Sequence, residues 1–163
     1  MSVYSNKEIR QAIADGTIIC TPFEEKHVSE ASLDFTLGYN YYAVSQDMPD
    51  GYNPFDIYMV NEVFGKPQIA EPFSFSQYLV GTSENIPLDH PVIILNPYER
   101  ILAHTHEFIG IKSHGGAAEV RSRSTWGRNG VAICFDAGWV DPGYFNRITL
   151  EIFNLNRFPI VLP

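Results

Sequence analysis

Short extended segments separated by turn residues recur along this 163-residue sequence and limit the folds open to it. Each segment is rich in β-branched, aliphatic or aromatic residues, and Gly, Pro, Asn or Asp lie between most of them, as expected for β-strands joined by turns. The segments are TIICTPF, SLDFTLG, PVIILNP, ERILAHTHEFIGI, AAEVRS, GVAICF and ITLEIF. We therefore expect an all-β sandwich or distorted barrel.

One helix is predicted near the N-terminus of the chain, in the stretch SNKEIRQAIADG, residues 5–16. Ser5 and Glu8 have the S-x-x-E spacing of a capping box, and Gly16 supplies a stop. Ile9, Ala12 and Ile13 form one apolar face. The sequence thus predicts a short leading helix, with little helix elsewhere.

The length fits one domain with its own core, and we predict a single domain over residues 1–163. Residues 46–91 are less regular and rich in Pro, Gly, Asn and Tyr. They are expected to form a long excursion, with a hairpin or a short helix near SFSQYLVG, residues 74–81.

The net charge of the chain limits the classes of molecule that it is expected to bind. A formal net charge of −8 argues against nucleic acid or an anionic membrane surface as the main partner, although a local basic pocket still suits a small phosphorylated ligand. No apolar stretch approaches the roughly 20 residues of a membrane span. Two cysteines, Cys20 and Cys134, are too few for a disulfide framework and fit a reducing cytoplasm.

The densest polar stretch is EVRSRSTWGRNG, residues 119–130. Guanidinium groups and hydroxyls match phosphate oxygens, and glycine lets backbone N–H groups approach an anion closely. The alternative is a solvated turn with surface arginines. The stretch is not a P-loop, because the G-x-x-x-x-G-K-[ST] pattern is absent.

The histidines do not support a catalytic metal. His104 and His106, two apart on a predicted strand, would point to the same face. A zinc deaminase, however, needs H-x-E with a later P-C-x-x-C, and neither occurs. We expect a structural role for the histidines, small core roles for the two cysteines, and no metal held by the protein itself.

Two carboxylates remain as candidates for acid–base chemistry. Ile148, Leu150 and Ile152 alternate with Thr149, Glu151 and Phe153, which predicts a half-buried strand with Glu151 on the face opposite the aliphatic residues. A strand glutamate often only faces water. If Asp141 opens a hairpin and Glu151 lies on its returning strand, however, both flank one pocket, where a carboxylate can pass a proton from water to a leaving amine.

These segments, taken together, resemble the dCTP deaminase branch of the dUTPase superfamily. The resemblance covers most of residues 5–163 except 46–91, and it is most specific in RSTWGR, in the AGWVDPG turn and in TLE. It implies a distorted jelly-roll subunit, a homotrimer with active sites between subunits, no zinc, and Mg²⁺ bound with the nucleotide triphosphate.

The resemblance also implies catalytic roles. Glu151 would be the general base that activates water for attack on C4 of cytosine, with Ser124 and the carbonyl of Ala137 holding that water. Arg128 would orient the reacting base and the carboxylate. In dUTPases an aliphatic residue stands where Glu151 stands, so Glu151 favours deamination.

The nucleotide contacts implied by the resemblance come from the same segments. Phosphates would be contacted by Arg123, Thr125, Trp126 and Gly127. Asp141 would meet the 3′-hydroxyl and Tyr144 would pack on the deoxyribose. The backbone around Thr149 and Leu150 would read the pyrimidine edge.

Three functions follow as hypotheses. The first is a zinc-independent dCTP deaminase that forms dUTP and ammonia. The second is a dUTP diphosphatase, or a bifunctional enzyme that forms dUMP, in which Asp141 activates the hydrolytic water. The third is a non-catalytic nucleotide-binding or structural trimer.

Two further expectations concern regulation and the C-terminal end. Similar deaminases are inhibited by dTTP, which no residue of this sequence predicts by itself. Similar proteins also continue for some tens of residues past the position of Pro163, so the resemblance implies that their phosphate-binding tail is absent here.

Overall fold

The computed structural model describes residues 3–45, 47, 51–73 and 85–163. Three helices are described: α1 (Asn6–Ala14), α2 (Ile57–Phe64) and α3 (Ser124–Arg128), with one 3-10 turn at Glu25–His27. The described strands are β1 (Ile18–Thr21), β2 (Asn40–Ala43), β3 (Gln68–Ile69), β4 (Glu71–Pro72), β5 (Pro91–Leu95), β6 (Arg100–His104), β7 (Phe108–Ile111), β8 (Ala118–Glu119), β9 (Val131–Ile133), β10 (Trp139–Val140), β11 (Phe145–Asn146), β12 (Thr149–Asn154) and β13 (Ile160–Leu162). The predicted β-rich class is confirmed.

The chain divides into two compact units. The first consists of Met1–Gly38, His104–Arg121 and Asp136–Thr149, and the second of Tyr39–Ala103, Ser122–Phe135 and Leu150–Pro163.

Helix α1 in the first unit begins and ends as predicted. The Ser5 side chain accepts from the backbone of Glu8, and the Glu8 carboxylate accepts in return from the Ser5 backbone at 2.7 Å. Ile9 and Ala12 are buried, and Gly16 has a φ of 71° just past the helix. The capping box therefore forms, and the apolar face packs inward.

The first unit contains a three-stranded sheet of order β1-β7-β11 and a two-stranded sheet of β10 and β8. In the larger sheet Cys20 lies opposite Ile109, and both side chains are buried. The carboxylate of Glu107, also buried, accepts from the backbone and the hydroxyl of Thr36, so its oxygens are paired despite burial.

The second unit contains a five-stranded sheet of order β3-β2-β6-β12-β9 and a three-stranded sheet of order β13-β5-β4. One face of β6 and β12 is closely packed, since Ile101, Ala103, Leu150 and Ile152 are all buried. The side chains between them in sequence point to the opposite face. That opposite face carries Glu151.

Three sequence predictions are wrong in detail. Helix α2 lies within the stretch predicted to be irregular, and Asp56 caps it by accepting from the backbone of Tyr58 at 2.9 Å. Helix α3 forms in the arginine-rich stretch, where no helix was predicted. The predicted strand at 32–38 forms only isolated bridges, Val28 to Leu33 and Leu37 to Thr105.

Two further predictions concern the histidines and residues 74–81. Strand β6 ends at His104, so His106 is not on a strand with it as predicted. The hairpin or helix expected at 74–81 lies outside the described residues.

Among the described residues, no helix is both long enough and apolar enough to cross a membrane.

Candidate active site

Strand β12 places Glu151 as the alternating pattern predicts. Leu150 and Ile152 are 7% and 2% exposed, whereas Thr149, Glu151 and Phe153 lie on the less buried face. The strand is thus buried on one side and presents a carboxylate on the other.

Neighbouring strands define what surrounds this carboxylate. The backbone N–H of Asn154 donates to the carbonyl of Glu99 at 3.0 Å, and that of Thr105 donates to the carbonyl of Ile148 at 2.9 Å. These two bonds set β6 antiparallel to β12, with Leu102 opposite Glu151. On the other side β9 pairs with β12, and the backbone N–H of Cys134 donates to the carbonyl of Glu151 at 3.2 Å.

The Glu151 side chain lines a cavity of about 500 Å³ in the second unit. The lining also includes Tyr52, Phe135, Phe153 and Arg100. Oε2 of Glu151 is buried and has no hydrogen-bond partner among the described residues. An unpaired buried carboxylate oxygen carries a desolvation cost, so this atom is poised to bind a donor.

Aromatic and strained groups border the carboxylate. The rings of Phe135 and Phe153 meet edge to face, with centroids 5.7 Å apart. Cys134 has a φ of 55°, which is uncommon for a residue with a Cβ and clusters at functional sites. Burial raises the pKa of the Cys134 thiol, and the nearby charge of Glu151 raises it further.

The arginine-rich stretch forms α3 and its flanks, also in the second unit. Arg123 is the N-cap residue, Ser124 begins the helix and Arg128 ends it, and all three are exposed. Thr125 and Gly127 are exposed as well, while Trp126 is half-buried. The helix is braced at its C-terminal end, where the Asn129 side chain donates to the carbonyl of Thr125 at 2.9 Å.

Three further predicted site residues, Ala137, Asp141 and Tyr144, lie in the first unit. Ala137 and Asp141 are exposed. The carbonyl of Asp141 accepts from the backbone of Tyr144 at 3.1 Å, and Gly143, with a φ of 90°, completes this turn. The Tyr144 hydroxyl donates to the carbonyl of Arg147 at 2.7 Å, and burial raises the pKa of Tyr144.

The predicted hairpin between Asp141 and Glu151 is wrong. Strand β10, before Asp141, pairs with β8, and β11 pairs with β7. The backbone N–H of Gly143 donates to the carbonyl of Ile111 at 2.7 Å, which ties the turn to β7. Because Asp141 and Glu151 belong to different units, a pocket shared by the two carboxylates stays a prediction.

The structure does not place the arginine cluster in the Glu151 cavity of the same chain. Among the described residues that line the cavity, none belongs to α3. Leu150 is buried beside Glu151, and Thr149 precedes it on the strand. Any contact of Ser124 or Arg128 with Glu151 therefore remains an expectation.

Several cavity residues were not predicted as site residues. The same alternation that exposes Glu151 also places Phe153 on its face, so the pattern held a usable signal for that residue. Tyr52, Phe135 and Arg100 are distant in sequence, and only tertiary structure brings them together.

The described part of the chain offers no group of three or more His, Cys, Asp or Glu side chains that could hold a metal ion. Cys20 and Cys134 are both buried, as the sequence predicted, and neither forms a disulfide.

A protein-family model described as dCTP deaminase-like matches residues 3–163. A protein of Methanopyrus kandleri named "dCTP deaminase, dUMP-forming" is 32% identical over 167 residues, covering 99% of this chain and 76% of its own. A protein of the same name from Hydrogenobaculum sp. is 34% identical over 160 residues, covering 98% of this chain and 75% of its own.

A solved structure shows the same fold. The crystal structure of 2′-deoxycytidine 5′-triphosphate deaminase from Agrobacterium tumefaciens aligns with a TM-score of 0.63 at 19% identity. The alignment covers 98% of this chain, which spans 44% of that one. The predicted fold class, the distorted jelly roll of the dUTPase type, is confirmed by this likeness.

Proposed function

The chain belongs to the dCTP deaminase-like family, and on that premise we propose that it is a zinc-independent deaminase of dCTP. The observation that carries the proposal is the carboxylate of Glu151, which lines an aromatic cavity with one oxygen buried and unpartnered among the described residues. A general base needs such an oxygen within reach of the proton that it takes.

The proposed chemistry uses Glu151 twice. Its carboxylate takes a proton from a water molecule, the resulting hydroxide attacks C4 of cytosine, and the proton passes to the amino group, which leaves as ammonia. The carboxylate ends the cycle unchanged, and uracil takes the place of cytosine.

The cavity suits a pyrimidine ring. Its volume of about 500 Å³ lies within the range of small-molecule sites. Phe135, Phe153 and Tyr52 supply aromatic surface, against which a planar base can stack. We assign the cytosine ring to this aromatic wall, with its C4 amino group toward Glu151.

The triphosphate is assigned to Arg123, Thr125, Trp126 and Gly127, whose guanidinium, hydroxyl and backbone N–H groups are donors. Because no α3 residue lines the described cavity of its own chain, the proposal places this cluster beside Glu151 of a neighbouring subunit in a homotrimer. In that arrangement Ser124 holds the attacking water and Arg128 orients the base and the carboxylate.

Further contacts with the nucleotide and with the attacking water are also proposed. Asp141 binds the 3′-hydroxyl, and the half-buried ring of Tyr144 packs on the deoxyribose and excludes a 2′-hydroxyl. The carbonyl of Ala137 accepts from the water, and the backbone of Thr149 and Leu150 reads the pyrimidine edge.

Magnesium is proposed to bind through the phosphate oxygens of the substrate. The described side chains offer no metal-binding cluster of their own, which fits an ion that arrives with the triphosphate, since Mg²⁺ commonly keeps waters and binds substrate phosphates. Magnesium would neutralise phosphate charge, while Arg123 and its neighbours orient the triphosphate.

The product is proposed to be dUMP rather than dUTP. The relatives of Methanopyrus kandleri and Hydrogenobaculum sp. are both named as dUMP-forming. Formation of dUMP requires a second hydrolysis, in which water attacks the α-phosphorus and pyrophosphate leaves. Asp141 is the carboxylate proposed to activate that water. A cytoplasmic location is also proposed, because neither cysteine forms a disulfide.

Product analysis tests these assignments. Purified protein is incubated with Mg²⁺ and dCTP or dUTP, and nucleotides, ammonia and pyrophosphate are quantified. Equal amounts of ammonia, pyrophosphate and dUMP from dCTP are expected. If dCTP gives ammonia and dUTP but no dUMP or pyrophosphate, the protein only deaminates. If dUTP gives pyrophosphate and dCTP gives no ammonia, the protein is a diphosphatase.

A binding assay distinguishes an enzyme from a protein that only binds nucleotides. Tight binding of dCTP or dTTP with no turnover would show a non-catalytic nucleotide-binding module. Addition of dTTP to an active preparation tests whether this nucleotide inhibits the protein.

A further inference from the structure

The Glu151 cavity also contains a cation to which none of the foregoing assigns a role. Arg100 lines the same cavity as Glu151 and is the one Lys or Arg among its described lining residues. We propose that Arg100 is a positioning residue, whose guanidinium holds the Glu151 carboxylate aimed into the cavity. The catalytic part of this inference rests on the proposed function; the pairing itself does not.

Strand register places the two side chains on one face. The bond from Asn154 to Glu99 sets Arg100 opposite Phe153, two cross-strand pairs along from Leu102 and Glu151. Arg100 and Glu151 are therefore diagonal neighbours on adjacent antiparallel strands, a separation that long side chains bridge. Ile101 and Ile152 between them are buried on the opposite face, so both charged side chains share the cavity side.

The burial of one Glu151 oxygen and the opposite charges of Glu151 and Arg100 favour an interaction between them. Oε2 of Glu151 is buried without a partner, and Arg100 forms no ion pair or side-chain hydrogen bond among the described residues. The two groups line the same cavity but form no ion pair with each other in the structure. Glu151 is half-buried and Arg100 is exposed. A charge-assisted hydrogen bond from the guanidinium to the buried oxygen would satisfy that oxygen and fix the orientation of the carboxylate.

The backbone of Arg100 is fixed well enough to aim its side chain. Its carbonyl accepts from the backbone N–H of Val44 at 3.1 Å, which continues the pairing of β2 with β6. Val44 itself lines the cavity. Arg100 therefore projects from the middle strand of three, with Val44 on one side and Phe153 on the other.

Steady-state kinetics on dCTP tests the catalytic part. R100A is expected to lower kcat by roughly 10- to 100-fold with KM changed less than about threefold, because the lost interaction orients a catalytic group rather than the substrate. R100K, which keeps the charge, is expected to recover part of the loss. R157A is the matched control, since Arg157 donates to the Tyr98 hydroxyl at 3.2 Å and does not line the cavity.

The kinetic outcomes separate this inference from the proposed function. Wild-type kcat in R100A would overturn the inference while leaving deamination intact. A rise in KM alone would also overturn it, because Arg100 would then contact the substrate. An inactive wild-type protein would contradict the proposed function instead.

A urea unfolding cycle tests the pairing without any activity. The midpoint is measured for wild type, R100A, E151Q and the double variant. R100A is expected to lower the midpoint of wild type but to leave that of E151Q nearly unchanged, since the neutral amide no longer needs the cation. An equal shift in both backgrounds would show that the two residues do not interact and would contradict the inference.

Discussion

The pKa of the Cys134 thiol depends on the neighbouring residue Glu151. The backbones of the two residues are hydrogen-bonded, and the charge of Glu151 adds to burial in raising the pKa of the Cys134 thiol. The thiol is thereby kept neutral beside the carboxylate. A neutral thiol avoids like-charge repulsion next to the carboxylate.

Cys20 provides a prediction about pH. Burial, with a smaller contribution from the charge of Glu107, raises the pKa of the Cys20 thiol to about 11 from an ordinary value of 9.0. The unfolded chain therefore releases this proton at a lower pH than the folded chain. Stability contributed by the neutral thiol is fully present below about pH 9 and is lost as the pH rises toward about 11.

Urea midpoints measured from pH 8 to 10.5 check this prediction. Wild type and C20A are compared, because lysine and tyrosine titrations contribute equally to both. Wild type is expected to lose stability more steeply with pH than C20A. Parallel curves would show that the Cys20 thiol is not held neutral by the fold.

Some residues of the site are readable from sequence and others are not. Glu151 and Phe153 follow from alternation along one strand, which is a local property. Arg100 carries no such signal, because its relation to Glu151 depends on which strands pair and in what register. Tyr52 lies in a stretch whose composition predicted only irregular structure.

Among the elements, β12 is the one on which the site depends, and Asn154 anchors its C-terminal end. Asn154 is fully buried, and its Nδ2 donates to the carbonyls of Leu95, Asn96 and Phe158 at 2.8–3.0 Å. Its Oδ1 accepts from the backbone of Asn156 at 2.9 Å. One amide thus joins β5, β12 and the turn that follows.

Replacement of Asn154 tests this anchoring. N154D keeps the shape but presents oxygens to three carbonyls, so we expect it to destabilise the protein by about 3 kcal/mol or more, as does removal of a partner from a buried network. N156A, which removes a more exposed amide, should cost less. Urea unfolding of the three proteins gives the comparison, and near-wild-type stability of N154D would refute the anchoring role.

Elements with strong local signals were predictable, and those defined by context were not. Helix α1 has a capping box and an apolar face. Helix α3 spans only five residues, too few for periodicity to show. Residues 32–38 have strand-like composition but find only single bridges, because extended structure requires a partner strand as well as propensity.

At the scale of the whole molecule, the proposed site requires more than one copy of the chain. The cavity of Glu151 and the arginines of α3 both belong to the second unit, yet no α3 residue is among those described as lining the cavity. A homotrimer is the arrangement implied by the resemblance, and under the proposed function it would bring the cluster of one copy to the carboxylate of the next.

Light scattering coupled to gel filtration tests this assembly. The subunit mass is 18.4 kDa, so a trimer is expected at about 55 kDa. Mixing E151Q with R128A subunits should then restore activity that neither variant has alone, because some mixed sites contain both wild-type residues. A monomeric protein that deaminates dCTP would contradict the shared site.

The central claim is that the Glu151 carboxylate carries the proton in dCTP deamination, and one measurement addresses it most directly. Ammonia release from dCTP is compared for wild type and E151Q, with dCTP affinity measured by calorimetry on the same preparations. E151Q is expected to lose at least about 1000-fold in ammonia release while binding dCTP within a few-fold of wild type, since the amide keeps the shape but cannot accept the proton. Ammonia release by E151Q at a rate close to that of wild type would contradict the claim.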